Sequence, residues 1–100
     1  MLVEVASKKD LKSGRIIGVK ATGKEILIVN LNDSYYALGN KCTHMDCKLS
    51  DGILKERVIE CPCHGSVFDI KTGKAIKGPA KKPETIFKVK IQGDKILIDV

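Results

Sequence analysis

Two short segments of this chain hold cysteine and histidine at spacings that could bind a metal. The first contains Cys42 and His44, and the second contains Cys61 and His64, with sixteen residues between the two pairs. Each segment offers one thiolate and one imidazole. Protein metal sites need such donors to converge at about 2.0–2.3 Å on one ion, and an unfolded chain assembles them poorly. The pattern therefore predicts two loops that close on one metal centre.

The same residues allow other chemistry. Four cysteines permit three disulfide connectivities, but a disulfide framework leaves both histidines unexplained. A structural zinc site uses the same donors, although its ligand pairs usually lie two to four residues apart and C-x-H is tight for that spacing. No feature marks one cysteine as the nucleophile of a catalytic Cys–His pair. Ordinary core packing fits poorly as well, because His44 and His64 lie near Pro, Asp and Gly.

The remaining sequence predicts strands that position these loops. Short β-rich runs are separated by turn residues, which is typical of an all-β domain. The predicted strands are residues 2–6, 16–21, 25–30, 35–38, 86–91 and 95–100. We expect turns at residues 23–24, 32–33 and 92–94, because glycine, asparagine and aspartate tolerate the left-handed backbone. One helical turn around residues 8–12 could be capped by Ser7.

The middle of the chain, residues 40–83, differs in composition from the flanking strands. It holds all four cysteines, both histidines and all three prolines. A stretch of that length cannot easily bury a core unless a metal or cross-links stabilise it. We therefore predict one domain, residues 1–100, built as a small antiparallel β-barrel or sandwich with a site-bearing subdomain inserted at about residues 40–83.

The charge balance and hydropathy restrict the partners. Eighteen Lys and Arg against twelve Asp and Glu give a net charge of +6. With only two arginines, Arg15 and Arg57, and few aromatic residues, we expect no nucleic-acid partner. No apolar run approaches the roughly 20 residues of a membrane-spanning helix, and residues 1–10 lack a secretory signal, so we expect a cytoplasmic protein that does not bind membranes. Many Lys, Glu and Ile with a single Gln and no Trp favour a thermophilic source.

At its cysteines and histidines the chain resembles the Rieske family of iron–sulfur proteins, whose signature is C-x-H followed by C-x-x-H. The resemblance covers residues 40–83 in detail. It implies an all-β, Rieske-like fold with an inserted cluster-binding subdomain, and it implies a [2Fe–2S] cluster. Beyond the four donors, it rests on Gly65, Ser66, Phe68, Asp69, Thr72, Gly73 and a proline loop that includes Gly78, Pro79, Ala80 and Pro83.

The resemblance also implies a role for each site residue. Cys42 and Cys61 would hold the inner iron. His44 and His64 would hold the outer iron. Neutral imidazoles in place of two thiolates raise the potential of such clusters, because an added electron then meets less negative charge. Hydrogen bonding and shielding of the cluster would come from Ser66, Phe68 and Pro79.

Two features of the site imply opposite subclasses. Cys47 and Cys63 match a disulfide that joins the cluster loops of high-potential, quinol-oxidising Rieske proteins. Free buried thiols remain the alternative, since cytoplasmic disulfides are disfavoured outside hyperthermophiles. Phe68 stands where the quinol-oxidising group has a tyrosine that donates a hydrogen bond to a ligand sulfur. The missing hydroxyl implies a lower potential.

These features predict a soluble one-electron carrier, similar to small archaeal Rieske-type ferredoxins, that passes electrons between a reductase and an acceptor enzyme such as an oxygenase. We expect no catalytic activity of its own. The alternatives are the soluble head of a quinol-oxidising Rieske complex, which needs a membrane anchor, and a zinc-stabilised interaction module, which would be colourless. We expect a monomer whose acidic redox partners dock on a surface made of His44, His64, Pro79, Lys48, Lys81 and Lys82.

Overall fold

The computed structural model describes residues 1–42, 47–63 and 65–100. In this part of the chain eleven strands form three antiparallel sheets, so the prediction of an all-β fold is confirmed. Two 3₁₀ turns, Lys8–Asp10 and Leu49–Asp51, lie between strands. The strands are β1 (Leu2–Ser7), β2 (Ile16–Ala21), β3 (Lys24–Leu31), β4 (Ser34–Gly39), β5 (Ile53–Lys55), β6 (Val58–Glu60), β7 (Val67–Asp69), β8 (Ala75–Lys77), β9 (Ile86–Phe87), β10 (Val89–Gln92) and β11 (Lys95–Asp99).

The three sheets differ in where their strands come from. The basal sheet has the order β1-β11-β10, the central sheet β2-β3-β4-β9, and the outer sheet β5-β6-β7-β8. All strands of the outer sheet come from residues 53–77, within the stretch that has the distinct composition. The basal sheet joins the two ends of the chain, because β1 pairs with β11.

Two apolar clusters lie on opposite faces of the central sheet. The basal cluster packs this sheet on the basal sheet, and its buried members are Leu11, Ala21, Ile26, Ile28, Ala37, Ile96 and Ile98. The site cluster packs it on the outer sheet and the predicted ligand loops. Its buried members are Leu27, Val29, Leu38, Cys42, Leu49, Ile59, Cys61, Phe68, Ile70 and Ala80.

Strand β3 lies between these clusters and contributes to both. Ile26 and Ile28 belong to the basal cluster, whereas Leu27 and Val29 belong to the site cluster. All four side chains are fully buried, which explains why a continuous apolar run rather than an alternating one encodes this strand. Burying one such side chain contributes about 1.5–3 kcal/mol, so β3 stabilises both faces of the sheet.

The turn between β3 and β4 has the predicted position and conformation. Asn32 and Asp33 both have positive φ, and they separate the paired residues Leu31 and Ser34. Two successive residues with positive φ are typical of a type I′ hairpin turn. The short polar side chains of Asn and Asp tolerate that backbone, so the local sequence is sufficient to specify this turn.

Two other turns are shifted from their predicted positions. Lys24 pairs with Ala21, so the first hairpin turns at residues 22–23 rather than 23–24. In the last hairpin Gln92 pairs with Lys95, and the connection is residues 93–94 rather than 92–94. Both shifts add one residue to a strand, because Lys24 and Gln92 pair across their hairpins instead of lying in the turns.

Other elements also differ from the prediction. The predicted strand 86–91 is divided at Lys88, because β9 pairs with β4 in the central sheet while β10 pairs with β11 in the basal sheet. The outer sheet was not predicted, since its strands have only three residues each.

The predicted turn after Ser7 forms as a 3₁₀ turn, in which the Lys9 N–H donates to Ser7 Oγ at 3.2 Å. Within the described residues no helix is long and apolar enough to cross a membrane.

Candidate metal centre

The first predicted ligand loop follows β4 and is closed at its base by an antiparallel ladder. Backbone hydrogen bonds of 2.8 Å form the two outer rungs, and a β-bridge forms the middle one. The ladder brings the chain back on itself around residues 43–46, which lie outside the described part together with the predicted ligand His44. The rungs join Asn40 to Leu49, Lys41 to Lys48 and Cys42 to Cys47.

The second predicted ligand loop joins β6 to β7. The Cys61 N–H donates to the Ser66 carbonyl at 2.7 Å, and the Gly65 N–H donates to the Cys61 carbonyl at 3.2 Å. Gly65 has a φ of +74°, a left-handed conformation that favours glycine. These bonds close a tight loop on either side of His64, which also lies outside the described residues.

The two cysteines predicted as metal ligands lie in the same apolar environment. Cys42 is 4% exposed and Cys61 is 2% exposed, and both belong to the site cluster with Leu49, Phe68 and Ala80. The structure therefore brings the thiol groups of the two loops to one buried region. Neither cysteine takes part in the disulfide of this chain.

The disulfide joins the other two cysteines, Cys47 and Cys63, whose Cα atoms are 6.4 Å apart. This is the pairing that the family resemblance implies, and the alternative of free buried thiols is wrong for the structure. Cys63 is exposed and Cys47 is half-buried against the site cluster. The bridge links the first loop to the second, so each loop restrains the position of the other.

The proline loop follows β8, and two of the hydrogen bonds that hold it involve Ala80 and Glu84. Ser66, which is fully buried, accepts the Ala80 N–H at its Oγ at 3.0 Å. Further along, the Glu84 N–H donates to the Gly73 carbonyl at 2.7 Å. Ala80 packs in the site cluster, whereas Pro79 is exposed. The loop thus covers the region of the two buried cysteines and presents its proline to solvent.

The described donors fit a [2Fe–2S] group. The two buried cysteines would supply the sulfur ligands, and each begins a loop whose backbone is hydrogen-bonded. Ser66 already accepts a hydrogen bond from Ala80, so its own hydroxyl hydrogen is left to donate to a neighbouring sulfur. Among the residues that the structure describes, no three His, Cys, Asp or Glu side chains form a metal site, and this part of the chain contains only the two cysteines of the four predicted ligands.

Gly52 is a site residue that the sequence analysis missed. A Cβ atom at this position would collide with the Glu60 carbonyl oxygen and would lie 3.1 Å from the Leu49 carbonyl oxygen. The absence of a side chain lets the end of the first loop approach β6 directly before Cys61. A single glycine without a turn signal gives no indication of such a contact, so only the structure identifies it.

The stretch that carries the site is more basic than the rest of the chain. Residues 40–83 contain nine Lys and Arg against five Asp and Glu. Lys41 and Lys48 lie opposite each other at the base of the first loop, and both are exposed. The Lys48 Nζ is 3.8 Å from the Glu25 carboxylate. Like charges at opposing positions destabilise a strand pair, so packing alone does not explain this placement of positive charge.

Known proteins of similar sequence and structure were identified by comparison. The family model described as "Rieske [2Fe-2S] domain" matches residues 1–93. The ferredoxin component of the naphthalene 1,2-dioxygenase/salicylate 5-hydroxylase systems of Ralstonia sp is 38% identical over 96 residues, which are 96% of this chain and 92% of that protein. The ferredoxin of carbazole 1,9a-dioxygenase from Nocardioides aromaticivorans IC177 superposes with a TM-score of 0.94 at 33% identity, covering 98% of this chain and 96% of that chain. A complex of reduced oxygenase and oxidized ferredoxin in carbazole 1,9a-dioxygenase matches with a TM-score of 0.91 at 31% identity, covering 97% of this chain and 91% of that chain.

Proposed function

We propose, because this chain belongs to the Rieske [2Fe–2S] domain family, that Cys42, His44, Cys61 and His64 ligate its cluster. The family membership confirms the predicted cofactor and the predicted role as an electron carrier. When bound, a [2Fe–2S] cluster accepts and releases one electron. The observation that carries the ligand assignment is the burial of Cys42 and Cys61 in one apolar cluster below two loops that a disulfide joins.

We further propose that three neighbouring residues adjust and shield the cluster. The hydroxyl hydrogen of Ser66 is left to donate because its oxygen accepts the Ala80 N–H, which supports a hydrogen bond to a cluster sulfide. Phe68 is fully buried in the same cluster as Cys42 and Cys61 and has no hydroxyl to donate. This absence supports a potential below that of the quinol-oxidising group, even though the chain shares the loop-joining disulfide with that group. Pro79 shields the site from the solvent side.

The redox partners we propose are a reductase that supplies the electron and an oxygenase that accepts it. The relatives support this choice, since one is the ferredoxin component of dioxygenase and hydroxylase systems and another is a ferredoxin in complex with an oxygenase. We propose that the chain acts as a carrier rather than as a catalyst, and that residues 40–83 form the cluster-binding subdomain of one domain. The monomeric state, the cytoplasmic location, the thermophilic source and the similarity to small archaeal ferredoxins stay predictions from the sequence.

The docking surface we propose surrounds the histidine edge of the site. Pro79, Lys48, Lys81 and Lys82 are all exposed, and the basic excess of residues 40–83 favours an acidic partner. The predicted participants His44 and His64 lie outside the described residues. Weak redox complexes use small interfaces in which charge mainly raises the rate of association. The excess of lysine therefore supports fast, salt-sensitive encounters rather than tight binding.

Metal and acid-labile sulfide analysis together with electron paramagnetic resonance (EPR) of the reduced protein tests the ligand assignment. We expect equal amounts of iron and sulfide, and a spectrum that changes or disappears in His44→Ala and His64→Ala. Zinc without acid-labile sulfide would overturn the proposal. An unchanged spectrum in both variants would remove the histidines from the ligand set while leaving the family membership intact.

Charge reversal tests the docking surface. The rate of electron transfer to the oxygenase component of carbazole 1,9a-dioxygenase should fall with rising salt, because ions screen the attraction. Lys81→Glu with Lys82→Glu should lower the rate at low salt more than the control pair Lys88→Glu with Lys90→Glu, which also changes two exposed lysines. If both pairs lower the rate equally, or if salt has no effect, these lysines do not guide docking.

A further inference from the structure

Two asparagines at opposite ends of the β3–β4 hairpin hold turns in the same way. Asn30 and Asn40 are each 1% exposed. Asn30 accepts the Asp33 N–H at Oδ1 at 2.8 Å and donates from Nδ2 to the Leu11 carbonyl at 2.9 Å. Asn40 accepts the Ser50 N–H at Oδ1 at 2.7 Å and donates from Nδ2 to Ser50 Oγ at 3.0 Å. The chemistry of the two side chains is therefore matched, while their surroundings differ.

The backbone of Asn40 joins strand β3 on one side and the returning end of the first ligand loop on the other. Its own N–H donates to the Glu25 carbonyl of β3 at 3.0 Å, and its carbonyl accepts the Leu49 N–H at 2.8 Å. It precedes Cys42 by two residues, and Ser50 follows Cys47 by three. The Asn40 side chain thus fastens the returning end of the loop to the outgoing end. Leu49, next to Ser50, is fully buried in the cluster that contains Cys42 and Cys61.

Strand β2 packs directly against the hydrogen-bonded side chains of Asn40 and Ser50, at Gly18. A Cβ atom on Gly18 would lie 2.7 Å from Asn40 Nδ2 and 2.8 Å from Ser50 Oγ, distances at which the polar groups would have to move. Gly18 has no positive φ, so its backbone conformation does not require glycine. The missing side chain is explained by the close approach of Asn40 and Ser50 to the strand.

We propose that Asn40 is a positioning residue for the cluster, fixing the first ligand loop, and with it the sulfur of Cys42, against the central sheet. The proposal rests on the ligand role of Cys42 stated above. The disulfide of Cys47 links the first loop to the second. The Asn40 side chain adds a different restraint, because it ties Ser50 at the returning end of the loop to a residue whose own N–H is bonded to β3. Asn30 makes the same kinds of bond at the end of the hairpin remote from the ligand loops.

The experiment compares Asn40→Ala with the matched control Asn30→Ala in the cluster-loaded protein. Each variant removes two side-chain hydrogen bonds from a buried site, so both should lower the Tm to a similar extent. Only Asn40→Ala should also shift the reduction potential and the EPR g values. In this variant a chelator should bleach the visible absorbance at least about threefold faster than in the wild type. Ser50→Ala, which keeps its backbone bond to Asn40, should show the same changes to a smaller extent.

The proposal is overturned if Asn40→Ala and Asn30→Ala do not differ in potential, EPR spectrum and bleaching rate. If Asn40→Ala does not fold, Ser50→Ala and Gly18→Ala decide the question, because they disturb the same pair from its other partner and from β2. A wild-type protein that contains no acid-labile sulfide would instead refute the proposed function, and that outcome is recognised before any variant is made.

Discussion

The two faces of the central sheet meet different kinds of structure. On the basal side, apolar side chains from β3, β4 and β11 fill the cluster, and the neighbouring strands have four to six residues. On the site side, the strands have three residues each, and buried cysteines and a buried serine lie among the apolar groups. A disulfide and loop hydrogen bonds supplement the packing there. The comparison indicates that apolar packing on the basal face stabilises the fold, while the other face can carry polar groups, thiols and loops.

Replacing a ligand should break the site side and leave the basal side intact. Cys61→Ala should abolish acid-labile sulfide and visible colour, because the proposed inner iron loses one of its two thiolates. Cys63→Ala, two residues away, removes the disulfide and should still bind the cluster. Iron and sulfide analysis measures both, and circular dichroism should show that the β structure persists. A coloured Cys61→Ala protein would contradict the ligand role of Cys61, and loss of the β structure in this variant would contradict the separation of the two sides.

Removing apolar volume from the basal side should have the opposite effect. Ile28→Ala truncates a fully buried side chain of the basal cluster, and such a change typically lowers the free energy of unfolding by about 2–5 kcal/mol. Denaturant unfolding gives this loss. The potential and EPR spectrum of the folded protein should stay at wild-type values, and a change in either would show that basal packing reaches the site.

A smaller change should alter the site without altering stability on the basal side. Phe68→Tyr places a hydroxyl in the site cluster near the proposed sulfur ligands. A hydrogen bond to a charged acceptor contributes roughly 1.5–3 kcal/mol, and only the part that strengthens on reduction changes the potential. Protein-film voltammetry should therefore record a rise of some tens of millivolts. A fall, with the hydroxyl shown to reach a ligand sulfur, would contradict the argument.

The smallest expected effect lies on the basal side and depends on pH. The terminal ammonium of Met1 donates to Asp99 at 2.8 Å, and this bond and its charge hold the pKa of Asp99 below its ordinary value of 3.8. A lowered pKa in the folded state stabilises the protein above pH 3.8, and this stabilisation is lost as the pH falls through the folded-state pKa.

Thermal unfolding of the wild type and Asp99→Asn across this pH range measures that contribution. The wild type should be slightly more stable near neutral pH, and the two should converge in acid. Because the pair is exposed, salt should reduce the difference. A difference that stays constant with pH would mean that Asp99 acts through something other than its charge.

The sequence was sufficient to predict several strands and one turn of the basal and central sheets, for physical reasons. Long apolar strands and left-handed turn residues act locally, so the β3 run and the Asn32–Asp33 turn can be recognised in isolation. The division of residues 86–91 at Lys88 could not be predicted in this way, because an alternating pattern does not specify which sheet a strand joins. That choice depends on cross-strand partners far away in sequence.

On the site side the sequence predicted the cofactor and the disulfide but not the strands and close contacts that surround them. The spacing of cysteine and histidine is specific, and the disulfide between Cys47 and Cys63 follows from the family resemblance. The three-residue strands β5–β8 are too short for periodicity to emerge. Gly52 and Asn40 act through close approach and through single side-chain bonds, and neither leaves a recurring pattern in the sequence.

The placement of β3 between the two clusters has a consequence for hydrogen exchange. Its amides lie in a strand paired on both sides and packed on both faces, so they can exchange with solvent only when the whole domain opens. The amides of β5–β8 depend on short strands and on the loops above them, so smaller openings should release them, more readily once the cluster is removed. Protection should therefore be graded outward from β3. Loss of the cofactor should lower protection in β5–β8 and, because opening of the whole domain also releases the cluster, in β3 as well.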